Sequence, residues 1–310
     1  MDCVFGIDIG GTDVKIGKFY ENELVYKTTI KTNREDDGRH ILNDIFKNID
    51  ELLEGDNLIG IGIGVPGPVL NNSIVSSKNL GWDKVDVLNI VKEKYPNVEV
   101  VILNDANAAA VGEMAKGGAV DYHSFLFITL GTGIGGGIIV DDELIEGDTG
   151  SAGEIGHIRV GFNNERLCKC GLYDCVEQYS SATGIVKTAN NLRIGRETKL
   201  NEVEVTSKNI FDLAKIGDEV ALEAVNNFIE KLATALAAVT NTVNPEAIVV
   251  GGGVSKAGDF LIKRLEKRFN ELCFFSVRGT KFALAKLGND AGMYGTNYMV
   301  RKKLNEHKEV

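Results

Sequence analysis

Two stretches of this chain repeat one pattern: an apolar strand, a glycine turn carrying a threonine, and a second strand. The first is FGIDIGGTDVKIG at residues 5–17, with strands predicted at Val4–Ile9 and Val14–Phe19. The second runs from Phe125–Leu130 through Gly131-Thr132-Gly133-Ile134-Gly135-Gly136-Gly137, read as a turn, to a strand at Ile138–Val140. Matching halves of this kind predict a duplicated α/β fold with a cleft between two domains. The 310 residues suffice for two such domains and their cores. Glycines let a backbone approach a phosphate, and their amides can donate to its oxygens together with the Thr12 hydroxyl. Asp8, just before the first turn, could hold a magnesium ion directly or through water. A plain hairpin turn accounts for the glycine pair equally well. The spacing is that of neither the P-loop nor the dinucleotide fingerprint.

A third strand is expected at Glu23–Lys31. Ile41, Leu42, Ile45, Ile49, Leu52 and Leu53 recur at helical spacing and predict an amphipathic helix to about Glu54. Ile59, Ile61, Ile63 and Val65 then alternate with Gly60, Gly62 and Gly64, a strand with one nearly bare face against which something packs closely. It ends in Pro66-Gly67-Pro68. The polar loop Asn71–Trp82 holds Asn79 and the single tryptophan, which either anchors the loop on the core or walls a ligand bound by Asn79. A short helix near Val87–Tyr95 leads to a buried strand, Val100–Leu103. That strand stops at Asn104-Asp105, where an alanine-rich helix to Lys116 begins. Ligands bind at the carboxyl ends of strands in open α/β sheets, and a partly desolvated carboxylate such as Asp105 suits a general base there. The competing reading is that Asp105 caps the helix. Later, a helix over Asp218–Val243 stops at Asn244-Pro245, a strand at Ala247–Val250 meets Gly251-Gly252-Gly253, and a helix over Asp290–Leu304 closes the chain. The tail Asn305–Val310 is expected to fray.

Composition narrows the class: 44% hydrophobic and 25% charged residues with a net charge of −10 suit a soluble globular protein. The basic clusters Lys263-Arg264, Lys267-Arg268 and Arg301-Lys302-Lys303 are short and read as solvated helix faces, so no nucleic-acid partner is expected. No apolar run is long enough to span a membrane. A strand starting at Cys3 leaves no room for a signal peptide, so the expected location is cytoplasmic. Of five cysteines, Cys3 and Cys273 lie in apolar surroundings and read as inert core residues. Cys168, Cys170 and Cys175 cluster downstream of His157, a set that satisfies a tetrahedral Cys3His zinc site of the closed, structural kind. The alternative is free thiols in a loop with an unrelated histidine. A metal would fix the loop that carries Glu154 and Glu177, whose carboxylates could then accept hydrogen bonds from a sugar; without it they are surface charges.

Taken together, DIGGT at 8–12, NDANAAA at 104–110, LGTGIGGG at 130–137, GEIGH at 153–157, CKCGLYDCVE at 168–177 and GGGVS at 251–255 resemble the ROK (repressor, open reading frame, kinase) family of bacterial sugar kinases. The resemblance implies the actin-like ATPase fold, a duplicated ribonuclease H-like α/β fold with two domains around a nucleotide and sugar cleft. The expected domains are residues 1–118, completed by the C-terminal helix 291–310, and residues 119–290 with the zinc loop. It implies Asp105 as the base, and sugar-binding positions at Gly67, Asn79, Asn104, Asp105, Gly137, Glu154, His157 and Glu177. It implies ATP contacts from Asp8, Gly10, Gly11, Thr12, Lys15, Thr132, Gly133, Gly252 and Gly253, with structural zinc on His157, Cys168, Cys170 and Cys175. The implied reaction is phosphorylation of a hexose by ATP with Mg2+, glucose at its 6-hydroxyl first, with N-acetylmannosamine, N-acetylglucosamine, fructose and allose as other acceptors. A non-catalytic sugar sensor on the same fold is the other class, and it would have no use for a base. Repressor members carry a DNA-binding domain before the DIGGT strand; seven residues precede Asp8 here, so a kinase is expected. A homodimer is implied. Similar proteins usually have glycine where this chain has Asp174, a replacement that positive φ tolerates.

Overall fold

In the computed structural model, which describes residues 1–307, the apolar opening run forms β1 (Asp2–Ile9), paired antiparallel with β2 (Asp13–Tyr20), which pairs with β3 (Glu23–Lys31). The chain continues through α1 (Ile41–Leu53), β4 (Asn57–Val65), and a small sheet of β5 (Val69–Leu70), β6 (Ile74–Ser77) and β7 (Trp82–Asp86). It then forms α2 (Val87–Lys94), β8 (Glu99–Asn104) and α3 (Asp105–Lys116). The first main sheet has the order β3-β2-β1-β4-β8, with β4 parallel to both β1 and β8.

The second half repeats this plan. It comprises β9 (Phe125–Leu130), β10 (Ile134–Val140), β11 (Glu143–Leu144), α4 (Glu177–Ser180), α5 (Ala182–Leu192), α6 (Ser207–Lys215), α7 (Glu219–Val243), β12 (Ala247–Gly251), α8 (Asp259–Leu272) and β13 (Lys281–Leu284). The sheet order is β11-β10-β9-β12-β13, with β12 parallel to β9 and β13. The final helix is α9 (Ala291–Glu306). Residues 1–121, 137–152 and those from Leu287 onward make one compact unit, and residues 122–136 with 153–286 make another. The domains expected from sequence differ from this division in residues 119–121, 137–152 and 287–290.

The central strands are apolar on both faces because both are covered. Phe5, Ile7 and Ile9 of β1 pack with Ile45 and Ile49 of α1 and Ile61 and Ile63 of β4. Val4 points the other way, to Val101, Leu103 and Val300. Each such side chain contributes about 1.5–3 kcal/mol by burial. The bare face of β4 is where α9 lies: a Cβ on Gly62 would stand 2.6 Å from the Thr296 carbonyl oxygen, and one on Gly60 would strike Val300.

Three expectations are corrected. The stretch Ile134–Gly137 is the start of β10, not turn, because glycine there admits a neighbouring backbone; a Cβ on Gly136 would stand 2.6 Å from the Gly153 carbonyl oxygen. The polar loop 71–82 contains β6, whose four residues are too few to display a period. Helix α9 runs on to Glu306, and residues 308–310 of the expected frayed tail lie outside the described residues. Several of the basic residues are paired: Lys263 with Asp259 and Arg268 with Glu271 on the same helix, and Arg268 also with Glu230 of α7. Among the described residues no helix is long and apolar enough to cross a membrane.

Lys18, buried on β2, reaches Asp56 at 2.7 Å, and the Lys18 ammonium before all else holds the Asp56 carboxyl well below its ordinary value. A depressed carboxyl stabilises the fold above its unfolded pKa, about 3.9, and loses that contribution as pH falls further. Asp56→Asn is therefore expected to unfold at lower urea than wild type at pH 7, with the gap narrowing below about pH 4. Urea titrations at both pH values check this; a gap that does not change with pH contradicts it.

Candidate active site

In the first unit the turn after β1 is held from outside. The Gly10 amide donates to the Asp13 carbonyl at 2.9 Å, the Thr32 hydroxyl to the Gly10 carbonyl at 2.6 Å, and the Thr32 amide to the Thr12 carbonyl at 2.9 Å. Gly11 and Thr12 are left facing outward. Asp8 and Lys15 are direct cross-strand partners, and their side chains pair at 2.8 Å. A Cβ on Gly292 would stand 3.0 Å from the Asp8 carboxyl carbon, so the first turn of α9 lies against this carboxylate. Sequence reasoning missed Thr32 and Gly292; the pair Gly292 and Gly295 on one helix was the available signal.

The junction of β8 and α3 separates the two readings of Asp105. The cap is Asn104: its Oδ1 accepts from the Ala106 and Asn107 amides at 2.9 and 3.2 Å, and its Nδ2 donates to the Gly67 carbonyl at 3.1 Å. Asp105 is the first helical residue, half-buried, and also accepts from the Ala106 amide at 2.8 Å. Gly67 has φ +115°, and a Cβ there would meet the Ser76 carbonyl oxygen at 2.5 Å, so only glycine fits the turn that Asn104 holds. Asn79 is exposed on the turn closed by the Leu80 amide on the Ser77 carbonyl. A Cβ on Gly11 would be 4.0 Å from the Asn79 carbonyl oxygen, which puts this turn beside the first glycine turn. Trp82 is an anchor and not a wall: it is buried, with its indole N–H on the Gly38 carbonyl at 3.0 Å. Gly137 is buried under α3, where a Cβ would stand 2.6 Å from the Ala110 Cβ, so packing alone requires glycine there.

In the second unit the glycine turn after β9 is closed by the Gly131 amide on the Gly133 carbonyl at 3.0 Å. The start of α5 braces it: the Ala182 amide donates to the Gly131 carbonyl and the Thr183 hydroxyl to the Thr132 carbonyl, both at 2.8 Å. Thr183 was also missed, although Ser181-Ala182-Thr183 reads as a helix start. Gly252, at φ +82°, would put a Cβ 2.5 Å from the Leu130 amide nitrogen, so the turn after β12 lies on the end of β9, with Gly253 exposed beside it. Both turns stand at the carboxyl ends of adjacent parallel strands, the usual ligand edge of such sheets.

The loop that follows gathers His157, Cys168, Cys170 and Cys175, with all four ligand atoms within 4.8 Å of one another. His157 Nδ1 is 3.6 Å from Cys168 Sγ, and Cys170 Sγ is 3.6 Å from Cys175 Sγ. A tetrahedron built on Zn–S bonds of about 2.3 Å has edges near 3.8 Å, so the donor set and its spacing fit zinc. His157 turns its other nitrogen, Nε2, toward Glu154 at 3.8 Å. Burial, followed by the neighbouring sulfurs, pushes the Cys175 thiol far above its ordinary value; a bound metal would instead favour the thiolate. Glu177 links this loop to the glycine turn, with Oε1 3.5 Å from Cys168 Sγ and Oε2 accepting from the Ile134 amide at 3.3 Å. Asp174 has φ +59°, a left-handed backbone that glycine adopts freely and aspartate tolerates.

Residues 4–303 match the model of the ROK family. The chain belongs to the ROK family. It is 38% identical to the glucokinase of Halalkalibacterium halodurans over 315 aligned positions, covering 97% of this chain and 95% of that one. It is 29% identical to the xylose repressor of Caldicellulosiruptor bescii, covering 97% of this chain and 78% of that one. Among solved structures, a ROK family glucokinase from Streptomyces griseus in complex with glucose and AMPPNP superposes with a TM-score of 0.79 at 31% identity, covering 97% of this chain and 99% of that one. The two sheets of identical order are thus the duplicated actin-like ATPase fold expected for a ROK protein.

Because Asn104 supplies the cap, the two neighbours are expected to separate in stability. Asn104→Ala should cost about 1 kcal/mol, whereas Asp105→Asn should leave the melting temperature nearly unchanged. Equal losses by calorimetry would return capping to Asp105.

Proposed function

We propose that this ROK protein transfers the γ-phosphoryl group of ATP to a hexose, with glucose at its 6-hydroxyl as the preferred acceptor. The observation that carries the reading is Asp105: it opens α3 directly after a buried parallel strand, and the N-cap bonds to the Ala106 and Asn107 amides are made by Asn104. Asp105 takes the hydroxyl proton as the hydroxyl oxygen bonds to the γ-phosphorus and the bond to ADP breaks. Alignment and charge neutralisation, more than covalent help, drive such a step. The turns at Gly10, Gly11 and Thr12 and at Thr132 and Gly133 are the phosphate cradles, with Gly252 and Gly253 near the adenosine and Lys15 beside Asp8. A single carboxylate such as Asp8 suits magnesium, which keeps most of its waters and takes phosphate oxygens.

Gly67, Asn79, Asn104, Gly137, Glu154, His157 and Glu177 are the proposed sugar contacts. Asn104 keeps one Nδ2 hydrogen for a hydroxyl after serving its cap and Gly67. Gly137 can offer only its backbone. His157, Cys168, Cys170 and Cys175 would hold zinc, which supplies rigidity to the loop bearing Glu154 and Glu177. Family resemblance extends the proposal to a cytoplasmic homodimer.

A coupled ADP-release assay over glucose, N-acetylmannosamine, N-acetylglucosamine, fructose and allose tests the reading, with glucose expected to give the highest kcat/KM. Sugar binding without ADP release from any of them would favour a sensor, the role that the xylose repressor's name suggests for that relative. Asp105→Asn is expected to lower kcat by at least about 10²-fold, the lower bound for a general base. Its sugar affinity should change far less. Retention of more than about a tenth of kcat would require a different base.

The purified protein should contain about one zinc per chain. Cys170→Ser with Cys175→Ser should remove it and raise the sugar KM steeply. Metal content that is indifferent to this double change sinks the zinc assignment.

A further inference from the structure

We infer that Asp174 is the positioning residue that assembles the four metal ligands before any metal arrives. The inference rests on the metal reading above and goes beyond the ligands themselves. The ligands come from three separate segments: His157, the pair Cys168 and Cys170, and Cys175. Asp174 joins all three. Its carbonyl accepts from the Val160 amide at 2.9 Å, three residues after His157, and its own amide donates to the Arg166 carbonyl at 2.8 Å, two residues before Cys168. Cys175 is its neighbour in the chain.

The side chain reinforces the link to the segment before Cys168 and adds one to α4. Oδ1 accepts from the Glu165 and Arg166 amides at 3.0 and 2.9 Å and from the Tyr179 hydroxyl at 2.8 Å. The residue is fully buried, where three donors on one oxygen count for most. The opposite end of the linkage is also fixed. The Arg166 guanidinium lies 4.2 Å from the Tyr179 ring centre and donates to the Gln178 carbonyl at 2.6 Å and to the Thr188 hydroxyl at 2.9 Å. A Cβ on Gly161 would stand 3.0 Å from the Asp174 Cβ, so the segment facing it leaves room for this side chain by having none of its own. A loop ordered in advance loses less entropy when it binds its ion, and residues that support metal ligands typically contribute 10–100-fold to affinity.

The test measures zinc affinity in the full-length protein, stripped of metal, by competition with a chromophoric chelator, for wild type, Asp174→Gly and Tyr179→Phe. Glycine accepts the left-handed backbone, so Asp174→Gly removes the three side-chain hydrogen bonds without straining the chain. It is expected to weaken zinc binding by about 10–100-fold, and Tyr179→Phe by a smaller factor. Amide hydrogen exchange in the metal-free state should be faster over 158–176 in Asp174→Gly than in wild type. A merely structural role would lower the melting temperature and leave zinc affinity and this local exchange alone. Zinc affinity within twofold of wild type in Asp174→Gly overturns the inference. If that variant does not fold, unchanged zinc affinity in Tyr179→Phe overturns it. A wild-type chain that takes up no zinc overturns the metal reading and this inference together, whereas normal wild-type uptake with unaffected variants overturns this inference alone.

Discussion

The first unit depends on the close backbone approach of α9. Where α9 crosses β4 and α3, glycines stand on both sides: Gly60 and Gly62 on the strand, Gly112 on α3, and Gly295 on α9 itself. A Cβ at Gly62 or Gly295 would collide with the opposing backbone, so α9 could not keep its place. Glycine inside a helix costs about 1 kcal/mol against alanine, a cost that the tight contact must offset. The same approach sets the first turn of α9 against the carboxylate of Asp8.

A division of labour at the end of β8 follows the same logic of local geometry serving the site. Asn104 caps α3 and, through Nδ2, holds the turn at Gly67. One amide side chain thereby ties the carboxyl ends of two neighbouring parallel strands, and the carboxylate beside it does not have to cap the helix. Asparagine and aspartate cap equally well, so the pair looks redundant until both side chains are placed.

In the second unit, Glu177 and the start of α5 connect what the sequence separates by more than forty positions. Glu177 touches both the loop that gathers His157 and the three cysteines and the Ile134 amide behind the glycine turn. Gly133 has no side chain where Glu177 comes closest: a Cβ would stand 2.6 Å from Oε2. A side chain introduced at Gly133 would therefore displace Glu177 as well as fill the turn, so the two regions cannot be altered independently there.

Much of this was legible in the chain alone. The twin glycine turns announced the duplicated sheets, the third strand Glu23–Lys31 and the strand Phe125–Leu130 fall where expected, and the spacing of His157 and the three cysteines announced a cluster that the structure closes. These signals are local: hydrophobic period, turn residues and ligand spacing act over a few positions. What stayed ambiguous depends on neighbours distant in sequence. Whether Asp105 capped the helix, whether Trp82 faced a ligand or the core, and that Ile134–Gly137 is strand and not turn, could be decided only once the Asn104 side chain was placed and Gly38 and Gly153 were brought alongside. The role of Asp174 is the extreme case, since its partners Val160, Arg166 and Tyr179 come from three segments. The sequence by itself determined most of the elements and which polar groups the chain carries; tertiary structure alone decided which of those groups are engaged, because hydrogen-bond partners are set by proximity in space and not by order along the chain.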